Sequence, residues 1–167
     1  MMGRALLILG ALATVGLVVA AVLGYRLNGA ADPNLSGHLL ASLASTLILV
    51  FSHSWILLYL LVTGRAVREA VREFHLEAGL IDSSRALRRR SLPVLLVAAF
   101  LAMATFLLGI GAVPGMVPFW VHHALFYATL VAQALALWIE SRALAANEKL
   151  LTDIDHRVTP VPVANAL

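Results

Sequence analysis

Six histidines dominate the chemistry available to this 167-residue chain, and no cysteine accompanies them. Without thiols, disulfides, thiolate metal sites, iron–sulfur clusters and covalently attached haem are all excluded. His75 and His156 stand among charged residues and read as solvated. His38, His53, His122 and His123 stand instead within long uncharged runs, where an ionisable side chain is a functional candidate by default. On a helix starting at His38, the residues Ser42, Ser45, Thr46, Ser52, His53, Tyr59 and Thr63 fall within about 80° of it, at 100° per residue. Ser54 is the exception. A second stripe joins His122 to Thr129, Gln133 and Glu140, within about 20°. His123 points about 100° away and is the weaker partner.

Two such stripes belong inside a bundle, because polar groups facing hydrocarbon are costly. His38 and His122 each open a run heading in the same direction, which sets them at matched depth on different helices. Two facing imidazoles at one depth suit the axial positions of a b-type haem. They are too few for a closed zinc site, and no H-E-x-x-H pattern is present. His53 lies about 22 Å of helical rise from His38, flanked by Ser52, Ser54 and Trp55, and is expected to bond a serine or a quinone headgroup. The expected cofactor-binding set is therefore His38, His122 and His53, with His38 and His122 as the metal ligands. The competing reading is that all three only hydrogen-bond. Glu140 is expected to pair with Arg65 or Arg142, and Arg88–Arg90 to fix topology and touch anionic lipid. No Ser–His–Asp pattern, phosphate-binding glycine loop or paired intramembrane carboxylate is visible.

The elements that must position these residues follow from composition. The chain is 61% hydrophobic and only 13% charged, with a mean hydropathy of +0.91. A soluble domain runs about 45–50% apolar and about 25% charged, so a soluble enzyme and a nucleic-acid-binding domain are both excluded. Charged residues are absent from 5–25, 33–64 and 91–139. A span needs about 20 apolar residues, and Pro114, Gly115 and Pro118 divide the longest run in two. The fold class expected is an all-α integral membrane protein, a four-transmembrane-helix bundle with cytoplasmic helical extensions. Its spans cover about residues 5–25, 36–64, 93–113 and 119–140. The first is too long for a signal-peptide core of 7–15 residues.

One membrane domain over residues 1–158 is expected, with a helical loop at 65–92 and a loose tail at 159–167. Val67, Val71, Phe74 and Ala78 recur at helical spacing, so the second helix is expected to run on to a cap at Gly79. The fourth should continue through Leu144 and Leu151. Gly16, Ala20 and Gly24 on the first span, and Ala98, Ala102, Thr105, Gly109 and Ala112 on the third, form small-residue faces for close packing. Trp120 and Trp138, eighteen residues and about 27 Å apart, form a lipid-facing stripe opposite His122.

Seven arginines between residues 65 and 90 make that loop cytoplasmic under the positive-inside rule, together with both termini. The expected setting is the inner (plasma) membrane of a prokaryote, with the bilayer and other membrane subunits as partners and no nucleic acid. Four spans with histidines near their ends resemble, in architecture alone, the cytochrome b anchor subunits of respiratory complexes, which implies a haem b, quinone contact and electron transport. The chain is expected to be no enzyme on its own. The alternatives are a cofactor-free accessory subunit and a small transporter or proton-path protein.

Overall fold

A computed structural model describes residues 2–27 and 32–159 of the chain. It is built from four helices: α1 (Met2–Tyr25), α2 (Leu35–Glu73), α3 (Gly79–Ala112) and α4 (Phe119–Val158). All four are long and apolar enough to cross a membrane. The tail expected to be loose falls, beyond Thr159, outside the described residues.

Local chemistry sets the helix ends. Ahead of α2, the Asp32 carboxylate accepts hydrogen bonds from the Asn34 backbone N–H at 2.8 Å and its side-chain amide at 3.0 Å, closing a turn around Pro33. Between α3 and α4, Gly115 takes a positive φ of 79°, which glycine adopts without steric cost, and Pro118 is the extended residue before α4. At the other end the expectation of a cap at Gly79 is corrected. α2 stops at Glu73, where His75 turns the chain with a φ of 50°, and Gly79 instead opens α3. The third helix therefore begins well before Pro93, which sits inside it with its side chain exposed.

The helices run up and down in sequence order. Each packs mainly on its chain neighbours, α4 closes less extensively on α1, and α2 and α4 also touch across the bundle. Among the described residues α1 and α3 do not meet. The axis of the molecule is thus filled by α2 and α4, which are the helices carrying the two polar stripes.

α1 is about 36 Å long, whereas α2, α3 and α4 reach about 51–60 Å. The excess projects past α1 at the arginine-rich end as a three-helix extension. Val67, Val71, Leu150 and Ile154 form its core, with Leu80 and Ile81 packed against them. Arg157 reaches Glu77 at 3.4 Å across its tip. Two further apolar clusters stack above: Leu6, Ile56, Leu60, Leu95 and Leu144, then Ala13, Leu17, Leu49 and Ala102.

The exterior along these clusters is apolar. Phe100, Val131 and Trp120 are 69–72% exposed, and Trp138 is 54% exposed on the same side of α4 as Trp120. Buried positions on α2 and α4 are instead rich in polar residues: Ser45, Thr46, Ser52, His53, Thr63, Thr129, Gln133, Glu140 and Asn147. A polar interior under an apolar exterior inverts the pattern of a water-soluble bundle.

Candidate functional site

Two polar centres lie along the bundle axis, one at the end carrying the α1–α2 and α3–α4 turns and one nearer the arginine-rich end.

The first is a cavity of about 270 Å³, with His38, His122 and His123 on its wall alongside Phe106, Phe126 and Leu17. The two hairpins build the same seat twice. On α1–α2 the His38 ring lies against Gly24, where an added Cβ would stand 2.8 Å from Cε1. On α3–α4 the His122 ring lies against Gly109, where a Cβ would stand 2.7 Å from Cε1. Any side chain at either glycine would occupy the space of the imidazole. His38 Nδ1 bonds the carbonyl of Ala20 at 2.8 Å; because a carbonyl only accepts, Nδ1 carries the proton and Nε2 keeps its lone pair. Thr105 stands four residues before Gly109, as Ala20 stands four before Gly24, and its backbone interacts with the His122 ring. Within the bundle, though, His122 Nδ1 has no hydrogen-bond partner. The two rings are close enough to interact electrostatically.

His123 is held differently. Its Nδ1 bonds the Phe119 carbonyl at 2.9 Å within its own helix, and its ring packs between Phe119 and Tyr25, at centroid distances of 4.1 and 5.0 Å. Tyr25 and Tyr127 join hydroxyls at 3.2 Å beside it. This aromatic group ties α1 to α4 where their contact is otherwise sparse.

The second centre is fully enclosed. His53 is 1% exposed, and Gln133 and Glu140 are 0% exposed. His53 Nδ1 lies 2.6 Å from Glu140 Oε1, and Nε2 lies 2.8 Å from Gln133 Oε1. Both ring nitrogens are engaged, so this imidazole has no lone pair free for a metal. The expectation of a serine partner for His53 is corrected: Ser52 reaches across to the Leu6 carbonyl at 2.8 Å, and Ser54 faces outward. So is the expectation for Glu140. It pairs with neither Arg65, which bonds exposed Glu69 at 3.0 Å, nor Arg142, whose guanidinium lies 4.5 Å over the Trp138 ring.

Polar groups continue from this centre in both directions. Toward the cavity, Thr105 and Thr129 join hydroxyls at 2.7 Å. Toward the arginine-rich end, the Thr63 hydroxyl meets the Asn147 side-chain amide at 3.1 Å and lies 2.9 Å from the Tyr59 carbonyl of its own helix. Next along the chain, Gly64 lies beneath the Arg88 guanidinium and the Ser84 hydroxyl. Arg88 is half-buried there, and both burial and the neighbouring Arg68 and Arg85 press its pKa below the ordinary arginine value. Arg89 and Arg90 are exposed.

Among the described residues no cluster of three or more His, Cys, Asp or Glu side chains could hold a metal ion. Of the three imidazoles lining the cavity, His123 is tied by Nδ1 to its own helix and packed between Phe119 and Tyr25. Neither a protein-family model, nor a curated protein, nor a solved structure matches this chain.

Proposed function

We propose that the chain is a small multi-pass membrane subunit that holds one b-type haem between His38 and His122 and passes electrons within a larger membrane complex. The carrying observation is the doubled seat: two imidazoles from different hairpins, each with Cε1 close against a glycine, on the wall of one apolar cavity. Two nitrogen donors leave a zinc ion half-coordinated. They would suffice to hold a haem, whose iron is otherwise ligated by the porphyrin. A haem so held supplies one-electron chemistry at a potential set by its axial ligands and surroundings. In this reading the Ala20 carbonyl would fix the His38 tautomer and leave Nε2 as the nitrogen available to hold the haem, the outer-shell role that ligating histidines commonly require. Phe106, Phe126 and Leu17, which line the cavity, would keep water from the bound group.

The apolar exterior and interior polar stripes support membrane insertion, with Trp120 and Trp138 marking the two lipid interfaces. The arginines of residues 65–90 then lie on the cytoplasmic side of a prokaryotic inner membrane with both termini, and the cavity lies near the outer face, within reach of a quinol or an external electron carrier.

The test is a dithionite-reduced minus oxidised spectrum of protein purified in mild detergent. A sharp b-type α-band is expected. His38→Ala and His122→Ala should each remove it, while His123→Ala should leave it in place. A flat spectrum from folded protein ends the haem reading and leaves the cofactor-free accessory subunit.

A further inference from the structure

The haem reading makes no use of the most deeply buried titratable groups in the molecule. We propose that His53 and Glu140 form a proton-binding site, loaded at the second carboxylate oxygen of Glu140 from the arginine-rich end of the bundle. The inference does not depend on the haem.

Hydrogen bonding fixes the proton inventory. Gln133 donates from its amide nitrogen to the Ala98 carbonyl at 3.2 Å, which turns its oxygen toward His53. That oxygen only accepts, so His53 Nε2 carries a hydrogen and its tautomer is set. The 2.6 Å contact between Nδ1 and Oε1 then holds one further proton, shared between imidazole and carboxyl. Glu140 Oε2 is left over. It is buried and has no hydrogen-bond partner. Two helical turns further along the same face of α4, Asn147 Nδ2 is also buried and unpartnered. Buried polar groups are almost always satisfied, and such exceptions call for an explanation. The two unpartnered groups are separated by about 10 Å of rise, with Leu60, Ala143 and Leu144 packed at that level, so a proton passing between them needs water to enter as these side chains move. From Asn147 the polar series passes Thr63 to Gly64, Ser84 and half-buried Arg88.

Loading moves one proton from water at that end to Oε2. The products are an imidazolium and a neutral carboxylic acid, and the pair gains one positive charge. Few other groups modulate the site. α1 has no charged side chain between residues 5 and 25 and α3 none between residues 91 and 112, while α2 adds only Tyr59, packed beside the Leu6–Ile56–Leu60 cluster. On α4, Arg142 is drawn outward over Trp138. Arg88, with Arg68 and Arg85 beside it, stands at the mouth.

The experiment is infrared difference spectroscopy of the full chain in lipid vesicles, stepped from mildly alkaline to mildly acidic buffer. The expected result is a growing carbonyl band of a desolvated carboxylic acid that shifts in heavy water and is lost in Glu140→Gln. Glu140→Asp should keep the band with a moved midpoint, and serves alone if the glutamine variant fails to fold. Asn147→Leu should slow its appearance at least tenfold after a rapid pH step. Absence of the band in folded wild-type protein, or its persistence in Glu140→Gln, overturns the site. An unchanged rate in Asn147→Leu overturns the loading route.

Discussion

At the scale of single residues, the two centres differ in what a substitution takes away. At the His53–Glu140 pair, removing one member strands the other. A buried ion pair broken on one side typically costs about 3–5 kcal/mol, whereas replacing both members with apolar residues is far milder. His53→Leu should therefore lower stability in detergent by about that amount, and His53→Leu/Glu140→Leu should recover part of the loss; comparing melting points of the singles and the double measures the coupling. At the cavity the loss comes from added volume. Gly109→Ala places a Cβ against the His122 ring and should cost about 1–3 kcal/mol as overpacking. Gly37→Ala meets nothing within 4 Å and should stay within about 1 kcal/mol of wild type. Equal melting points for the two alanine variants would show that His122 does not depend on Gly109 for its seat. Helical phase brings His38 and His122 to one cavity wall, but His123, which phase sets about 100° away, lines that cavity too. The pairing of His53 with Glu140 is not legible from phase, because it depends on how α2 and α4 slide past each other. Counted by rise from His38 and His122, the two residues differ by about 4–5 Å, which side-chain length closes. The missed signal is that Glu140 closes the His122 stripe and, at that offset, comes within reach of His53. A further missed signal is the pairing of each cavity histidine with a glycine on the helix before it.

At the scale of the helices, the uncharged runs mark where apolar packing occurs but not where the helices stop. α2, α3 and α4 all continue into the charged stretch because its apolar residues still repeat at helical spacing, as Val67 and Val71 do. Pro93 looks like a start because it cannot donate a backbone hydrogen bond. Its missing N–H leaves only the carbonyl of exposed Arg89 without an intrahelical partner, and α3 carries through. The extension stands on one small cluster without α1, so its stability should be separable from that of the bundle. Ile154→Ala or Val71→Ala removes volume from that cluster and should cost about 1–4 kcal/mol locally. The expected outcome is faster proteolysis and faster amide exchange between residues 66 and 90, with the amides around His53 still protected. Removing the Arg157–Glu77 bridge, both members of which are substantially exposed, should change neither measurement by more than about 1 kcal/mol.

At the scale of the whole molecule, the two proposals meet in one axis. The cavity wall includes Thr129, and one helical turn deeper Gln133 holds His53. An electron added at the cavity places negative charge in a low-dielectric interior where few charges compete, and a proton arriving at Glu140 offsets it. The coupling has a definite sign. Protonation favours the reduced state, so the midpoint potential of the bound haem should fall as pH rises, by no more than about 59 mV per unit for one proton per electron. Glu140→Gln removes the acceptor and should flatten that slope, and Glu140→Asp should retain one. Potentiometric titrations of the three proteins across a range of pH decide the matter. A slope surviving unchanged in Glu140→Gln would assign the compensating proton to the cavity histidines themselves, where His122 Nδ1 is the other buried nitrogen left without a partner. A potential independent of pH in wild type would mean that the two centres sit on one axis without exchanging free energy, and that the polar column serves helix registry alone.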